Sequence, residues 1–351
     1  MQLTTEQKDI IEKVSNNIYR KKIQTIGGYA GCGKTVVAKE LADKFPKFAV
    51  CAFTGKASHR LRQKGVSRSQ TIHSTIYNVE KDIFGNQKFI LKEKWQLGAQ
   101  GFICDEASMV PKTEHDNMLS YGLPIVYIGD HGQLEPVGED IGIMKDPMYK
   151  LEKIHRNAGE IAEFAEHLRL GKDPRSFKCK EKVKIIESHE VTDTILANQD
   201  QILCAFNNFR VRLNDRMRKI LGFNDEEVMP GEKIIFLANN RNDAVFNGMI
   251  CEVVEVEHDL CRITVKTEED KILSNLKYDP RQFGSDTLIR AHSRKHNLCD
   301  YGYVITGHKS QGSEFDRVLV YEQRCKLWEH IRWAYTTASR AKEYLTWVLA
   351  K

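Results

Sequence analysis

The sequence of 351 residues has no apolar run approaching the roughly 18 residues that a membrane-crossing helix needs. Its opening residues, MQLTTEQKDI, lack an apolar signal core, so the chain is expected to stay in the cytosol, with no membrane partner. The nine cysteines are scattered, with no C-x-x-C pair. That spacing argues against a zinc site and a disulfide scaffold, and it fits a reducing compartment. Internal repeats and low-complexity segments are missing as well, which sets aside repeat arrays and composition-driven tails. A strong charge bias is also absent. The chain carries 53 Lys+Arg against 48 Asp+Glu, a formal net charge of +5, which permits a polyanion partner without demanding one.

What is present is a soluble globular composition, 41% hydrophobic and 29% charged, in a chain too long for one ordinary core. The first part alternates strand and helix patterns. Short apolar runs at 23–26, 48–53, 102–104 and 125–128 are bounded by Gly, Pro or Asp, as in a parallel sheet covered on both faces. The stretch VEKDIFGNQKFILKEK reads as a β-hairpin inserted into this domain, with Gly85-Asn86 at its turn. A second α/β pattern follows, interrupted by short strands with tight polar connections that read as a small all-β insertion. The expected domains are 1–148, with the hairpin at 78–98; 149–228 plus 291–351; and an inserted β module at 229–290.

The segment GGYAGCGKT joins the first strand pattern to a helix pattern. From Gly28 to Lys34-Thr35 it follows G-x-x-x-x-G-K-T. Glycines such as Gly28, Gly31 and Gly33 let the backbone curl so that amides point at phosphate oxygens, and the helix N-terminus adds positive potential. Lys34 would neutralise the β- and γ-phosphates of ATP, and Thr35 would ligate Mg²⁺. Such a loop needs an acid on a neighbouring strand, and GFICDEAS supplies Asp105 for the metal and Glu106 to polarise the attacking water. The alternative is a solvated acidic pair at a strand end. Gln133 in IVYIGDHGQLEPVG could orient water or sense the γ-phosphate, or be an ordinary loop amide. Gln7 could bond an adenine edge or simply serve the start of its helix. The stretches AFTGKASHRL, TIHSTIY and VITGHKSQGSEFD combine hydroxyls, cationic groups and small residues suited to a phosphate backbone. Arg340 in WAYTTASRAK reads in isolation as a surface charge or structural pair.

The order GYAGCGKT, AFTGKAS, TIHSTIY, DEAS, GDHGQLEPVG, LEKIHRN, GHKSQGSEFD, YTTASRAK resembles the motif series of superfamily 1 helicases, most closely their 5′-to-3′ branch of RecD-like and Dda-like enzymes. The resemblance spans Gln7 to Lys342. It implies an α/β protein of two RecA-like P-loop domains in tandem, the hairpin being a strand-separating pin and the β module an SH3-like insertion. It implies an ATP- and Mg²⁺-dependent translocase on single-stranded DNA that unwinds duplex at single-strand/duplex junctions, as a monomer, with replication or recombination proteins as partners. Gln7, Gly28, Gly31, Gly33, Lys34, Thr35, Gly312 and Glu314 would touch the nucleotide. Thr35 and Asp105 would hold the metal. Lys34, Glu106, Gln133, Arg156 and Arg340 would act in catalysis, the two arginines as fingers from the second domain. Thr54, Lys56, His73, Thr306, His308 and Ser310 would line the strand track. Phe84 or Phe89 would be the wedge of the pin, or pack inward in a purely structural hairpin. An RNA substrate, and a nucleotide-dependent binding module without processive unwinding, are the competing expectations.

Overall fold

The computed structural model describes residues 3–81, 87–135, 142–152, 159–240, 242–289, 296–325 and 329–350. The chain divides into two units, Met1–Ala162 and Glu163–Lys351. Among the described residues no helix is long and apolar enough to cross a membrane.

The first unit contains α1 (Thr5–Asn17), β1 (Ile23–Gly28), α2 (Lys34–Lys44), β2 (Phe48–Ala52), α3 (Gly55–Gln63), β3 (Gln70–Thr71), α4 (Ile72–Ile76), β4 (Tyr77–Lys81), β5 (Gln87–Leu91), α5 (Lys94–Leu97), β6 (Gly101–Asp105), α6 (Lys112–Ser120), β7 (Ile125–Gly129) and β8 (Tyr149–Leu151). Six strands form a parallel sheet in the order β3-β2-β6-β7-β1-β8. Side chains alternate across it, as the period of two requires. Ile103, Val126 and Ile128 join Val37 and Leu41 of α2 in one core, while Phe102, Cys104, Ile125 and Tyr127 join Ile72 and Met118 in the other. Burial on both faces explains why these strands read as continuous apolar runs. The chain order leaves β1 and β6, both central, ending at one edge of the sheet with the glycine loop and the acidic pair beyond them. There α/β sheets place their ligands.

β4 and β5 pair as an antiparallel two-stranded ribbon, as the hairpin pattern predicts; its turn, with Phe84, lies outside the described residues. One boundary differs from the sequence reading. The sequence pattern puts Tyr149–Leu151 in the second domain, but the segment pairs with β1 as the sixth strand of the first sheet (Ile26 with Tyr149, Gly28 with Leu151).

The second unit holds α7 (Gly159–Arg169, whose first turn belongs to the first unit), β9 (Val183–Ile186), α8 (Asp193–Ala197), β10 (Gln201–Cys204), α9 (Asn207–Ile220), β11 (Lys233–Phe236), β12 (Ile250–Glu257), β13 (Arg262–Thr267), β14 (Ile272–Lys277), β15 (Cys299–Tyr301), β16 (Val304–Thr306), β17 (Phe315–Tyr321), α10 (His330–Ala338) and β18 (Ala341–Val348). A parallel sheet runs β16-β10-β17-β18-β9. The inserted module is a five-stranded antiparallel sheet, β14-β13-β12-β11-β15. It extends past the expected end at 290, because Cys299–Tyr301 pairs with β11. Nor does it hang from the α/β layer by linkers alone. Ile202, Leu319 and Val348 of the parallel sheet share one core with Val253, Ile263 and Val265 of the module. Arg218 of α9 is bonded to the fully buried Glu232 (2.6 Å) and sits over the Tyr301 ring. Breaking such a buried pair from one side costs about 3–5 kcal/mol, so the junction resists separation.

Candidate nucleotide site and strand-binding surface

The site begins where β1 ends. Gly31 and Gly33 have φ of +83° and +80°, a left-handed backbone that a Cβ penalises by about 1–2 kcal/mol. That curl delivers Gly33 as the N-cap of α2, whose first intrahelical bonds run from the amides of Val36 and Val37 to Gly33 O. The amides of Lys34 and Thr35 therefore open the helix toward the loop, where the helix dipole favours an anion. Lys34 Nζ is gathered inside the loop, donating to Gly28 O (2.7 Å), Tyr29 O (2.9 Å) and Asp130 Oδ2 (3.2 Å).

Asp130, directly after β7, is fully buried and acts as a hub. It accepts from Gly132 N (3.0 Å) and Gln133 Nε2 (3.1 Å) as well as from Lys34. Sequence reasoning picked Gln133 and passed over Asp130. The signal was available, since an acid directly after an apolar strand is the feature that picked out Asp105. Gln133 is buried beside Lys34 through this shared carboxylate, which gives the loop lysine and the glutamine a common partner.

Asp105 closes β6 and is almost completely buried. Burial first, then the neighbouring Glu106 charge, raises its carboxyl from 3.8 to about 6; the Glu106 amide, Arg60 and Lys34 pull the other way. Glu106 itself has φ of +52°, unusual for a residue with a side chain. One of its carboxylate oxygens, Oε2, is buried with no hydrogen-bond partner among the described residues. A strained backbone and an orphaned buried carboxylate oxygen at one position are costs that folding alone does not explain. They suit an oxygen held ready to take a proton.

Gln7 is buried against the loop. Its Oε1 accepts from Thr4 N (3.1 Å) and its Nε2 donates to Cys32 O (3.2 Å), so it closes the capping box of α1 and ties that helix to the glycine loop. This is the helix-start role that the sequence left open, with a grip on the loop added. Thr35 is partly exposed on the first turn of α2, and Gly28 is buried at the end of β1.

Along the carboxyl edge of the first sheet, Thr54 caps α3 by accepting from Ala57 N (3.1 Å), and Lys56 stands partly exposed in the first turn. His73 Nε2 pairs with Glu114 Oε1 at 3.2 Å, and this bond leads the effects that lower the Glu114 carboxyl below its usual value. The His73 ring also contacts Phe53, Tyr77 and Phe89, with centroids 6.3, 5.4 and 5.8 Å away. Phe89, 49% exposed, meets Tyr77 and His73 edge-on, so it is both packed and open to solvent. These rings form a surface that joins the hairpin to the sheet.

In the second unit the residues expected to line the DNA strand lie at and just after the end of β16. His308 is partly buried, which lowers its pKa, while Thr306 is buried and its hydroxyl accepts from Lys309 N (3.4 Å). Ser310 departs from expectation. It is fully buried and its hydroxyl donates to Gly307 O (2.7 Å), so it shapes the turn and does not face solvent. Lys309, not singled out from the sequence, has its ammonium disfavoured by burial and then by the Arg210 charge, and it reaches Asn247 Oδ1 in the inserted module at 2.6 Å. Gly312 has φ of +73° and Glu314 is exposed; both precede β17.

Arg340 is 3% exposed. Its guanidinium donates to Thr336 O (2.9 Å), Ser313 O (3.2 Å) and Ser339 Oγ (2.8 Å), which is the structural pairing that the sequence also allowed. Arg156 lies outside the described residues.

The family described as an AAA domain matches residues 2–191, more than half of the chain, and the family described as a UvrD-like helicase C-terminal domain matches residues 301–348. A probable conjugal transfer protein TraA of Sinorhizobium fredii is 26% identical over 91% of this chain and 30% of its own length. The ATP-dependent RecD2 DNA helicase of Deinococcus radiodurans is 22% identical over 90% of this chain and 45% of its own. The chain thus spans about a third to a half of the length of these curated relatives. A crystal structure of Bacteroides Pif1 bound to ssDNA superposes with a TM-score of 0.63 at 18% identity, covering 100% of this chain and 95% of that one, which shows a shared fold. The chain belongs to the family whose model is described as an AAA domain.

Proposed function

We propose that this chain is an ATP-driven motor that moves 5′ to 3′ along single-stranded DNA and parts duplex at a single-strand/duplex junction. The observation that carries the reading is the set around the glycine loop: an α2 N-terminus, a lysine shared between loop carbonyls and Asp130, and a strained Glu106 with an orphaned buried oxygen. Lys34 exchanges Gly28 O and Tyr29 O for phosphate oxygens. Glu106 takes the proton of the attacking water. Gln133 and Asp130 carry the change at Lys34 into the loop after β7. The donor set also fits Mg²⁺, a hard cation that takes oxygen ligands. Thr35 and Asp105 would hold it, and when bound it would neutralise charge on the transferring phosphoryl group. Binding of the metal would favour the ionised form of Asp105, which burial alone disfavours.

Arg340 of the second unit is one candidate finger, with Gly312 and Glu314 flanking its partner Ser313; Arg156, the other, falls in the range of the first unit and not in the second as expected. Closing of the units on ATP and reopening after hydrolysis would move the Thr54, Lys56 and His73 surface relative to Thr306 and His308 along the strand. The hairpin, with Phe89 and Phe84, would act as the pin, and the five-stranded module would be the SH3-like insertion of this branch. The Bacteroides Pif1 structure of the same fold is described as bound to ssDNA, which supports the choice of substrate.

One observation favours a second reading, a nucleotide-dependent binding module with slow hydrolysis: the Arg340 guanidinium is committed to its own unit by three hydrogen bonds. The experiment is unwinding of matched duplexes bearing a 5′ or a 3′ single-stranded tail, with ATP and Mg²⁺, alongside ATPase assays on poly-dT and poly-U. Rapid turnover on poly-dT with unwinding from the 5′ tail is expected. Slow turnover indifferent to the strand would overturn the motor, and a preference for poly-U would move the substrate to RNA.

A further inference from the structure

The carboxyl ends of β17, β18 and β9 and one face of α9 border an open pocket of about 540 Å³ that no step of the motor uses. Phe209, Leu213, Tyr321 and Leu349 give it an apolar lining, with the Phe209 and Tyr321 rings edge-to-face at 5.0 Å. Arg212 and Arg216 line it from α9, one helical turn apart. The site stands apart from the nucleotide-facing residues. Arg340 precedes β18 and Leu349 follows it, so the eight-residue strand separates them by roughly 30 Å.

The Gln323 amide oxygen and the Glu322 carboxylate of the lining are already engaged. Gln323 Oε1 accepts from Ala205 N (2.7 Å) and Phe206 N (3.3 Å). Glu322 pairs with His330 Nε2 (2.9 Å) and accepts from Arg324 (3.3 Å), Trp347 Nε1 (3.2 Å) and Ala350 N (3.3 Å). A nucleobase would bring a polar edge that the Phe209, Leu213 and Leu349 lining leaves unpaired, and an unpaired polar edge is costly to bury. A large apolar side chain has no such edge. The rim has the opposite character. Arg212 is exposed with no ion-pair or hydrogen-bond partner among the described residues. Arg216 holds only Asp193, at 2.6 Å, with both side chains about half exposed, a class of pair that is weak and readily exchanged.

We propose that this cavity docks a partner protein through a short acidic segment ending in a large apolar residue. The apolar side chain fills the space between Phe209, Leu213 and Leu349, and its flanking carboxylates meet the forks of Arg212 and Arg216.

The test is fluorescence anisotropy with a short labelled peptide of aspartates ending in phenylalanine, its Phe→Ala counterpart, and a labelled oligo-dT. Saturable binding of the phenylalanine peptide is expected, weakened about tenfold or more by its Phe→Ala change and by Arg212→Glu in the protein. The Arg212→Glu protein should keep its oligo-dT affinity and dT-stimulated ATPase. The comparison of the two peptides on the unaltered protein does not depend on any variant folding. Failure to saturate, equal binding of the two peptides, or displacement of the peptide by oligo-dT would each overturn the proposal; the last would make the cavity a nucleic-acid subsite.

Discussion

Replacing Glu106 by glycine should make the protein more stable and leave it unable to turn over ATP. The left-handed backbone at φ +52° costs a residue with a Cβ about 1–2 kcal/mol, and glycine escapes that cost. The buried Oε2 without a partner adds about 1–3 kcal/mol of unrecovered desolvation. Against these, glycine frees the unfolded chain at a cost of about 0.5–1 kcal/mol. The balance is a stabilisation of about 1–4 kcal/mol, or a rise on the order of 5 °C in the first unit's transition. Its pH dependence follows from Asp105, whose carboxyl is raised from 3.8 to about 6 by burial and then by Glu106. A raised acid pKa means the folded state holds the proton more tightly. The contribution of this one carboxyl to stability is therefore fully present below 3.8 and is lost as pH climbs through about 6, by about 3 kcal/mol. Removing the Glu106 charge relieves part of that loss, so the stabilisation should be larger near pH 7.5 than near pH 4. Calorimetry at both pH values and strand-stimulated ATPase assays check the pair of effects, with Glu106→Gln as the variant that keeps the backbone strain and loses the charge. Turnover should fall by about 10²–10⁴ in both variants. A glycine variant that melts below the parent protein, or one that hydrolyses ATP at the parental rate, would refute the reasoning.

Further outcomes are expected. Gly33→Ala must place a Cβ on a backbone at φ +80°, so it should cost about 1–2 kcal/mol of stability and raise the KM for ATP, measured by melting and by steady-state kinetics. Arg340→Ala should lower strand-stimulated turnover by about 10³ if the side chain leaves Ser313 and Thr336 to act as a finger, whereas a structural arginine would show in the melting temperature alone. Phe89→Ala removes the exposed ring that rests on His73 and Tyr77. Unwinding of a tailed duplex should drop, with loss of about 1–3 kcal/mol of base stacking, while ATPase activity on oligo-dT stays unchanged.

Much of this molecule is local, and that part is legible in the order of residues alone. The glycine loop, Lys34, Thr35 and the Asp105-Glu106 pair sit at strand ends whose apolar runs are readable, because a sheet buried on both faces admits only such runs. The two α/β layers, the hairpin and a β insertion followed from the same periodicities. Tertiary structure decided what depends on partners distant in the chain. Tyr149–Leu151 joins the first sheet by pairing with β1, and Cys299–Tyr301 joins the inserted module by pairing with β11. Neither three-residue strand carries enough pattern of its own to say which neighbour it takes. Asp130 became a hub because Lys34, 96 residues earlier, reaches it in space. Ser310 and Arg340 show the reverse: their motifs promise exposed chemistry, yet the Gly307, Ser313 and Thr336 carbonyls take up their donors. Hydrogen-bond satisfaction of buried groups is settled by packing, and packing is assembled from residues far apart in sequence.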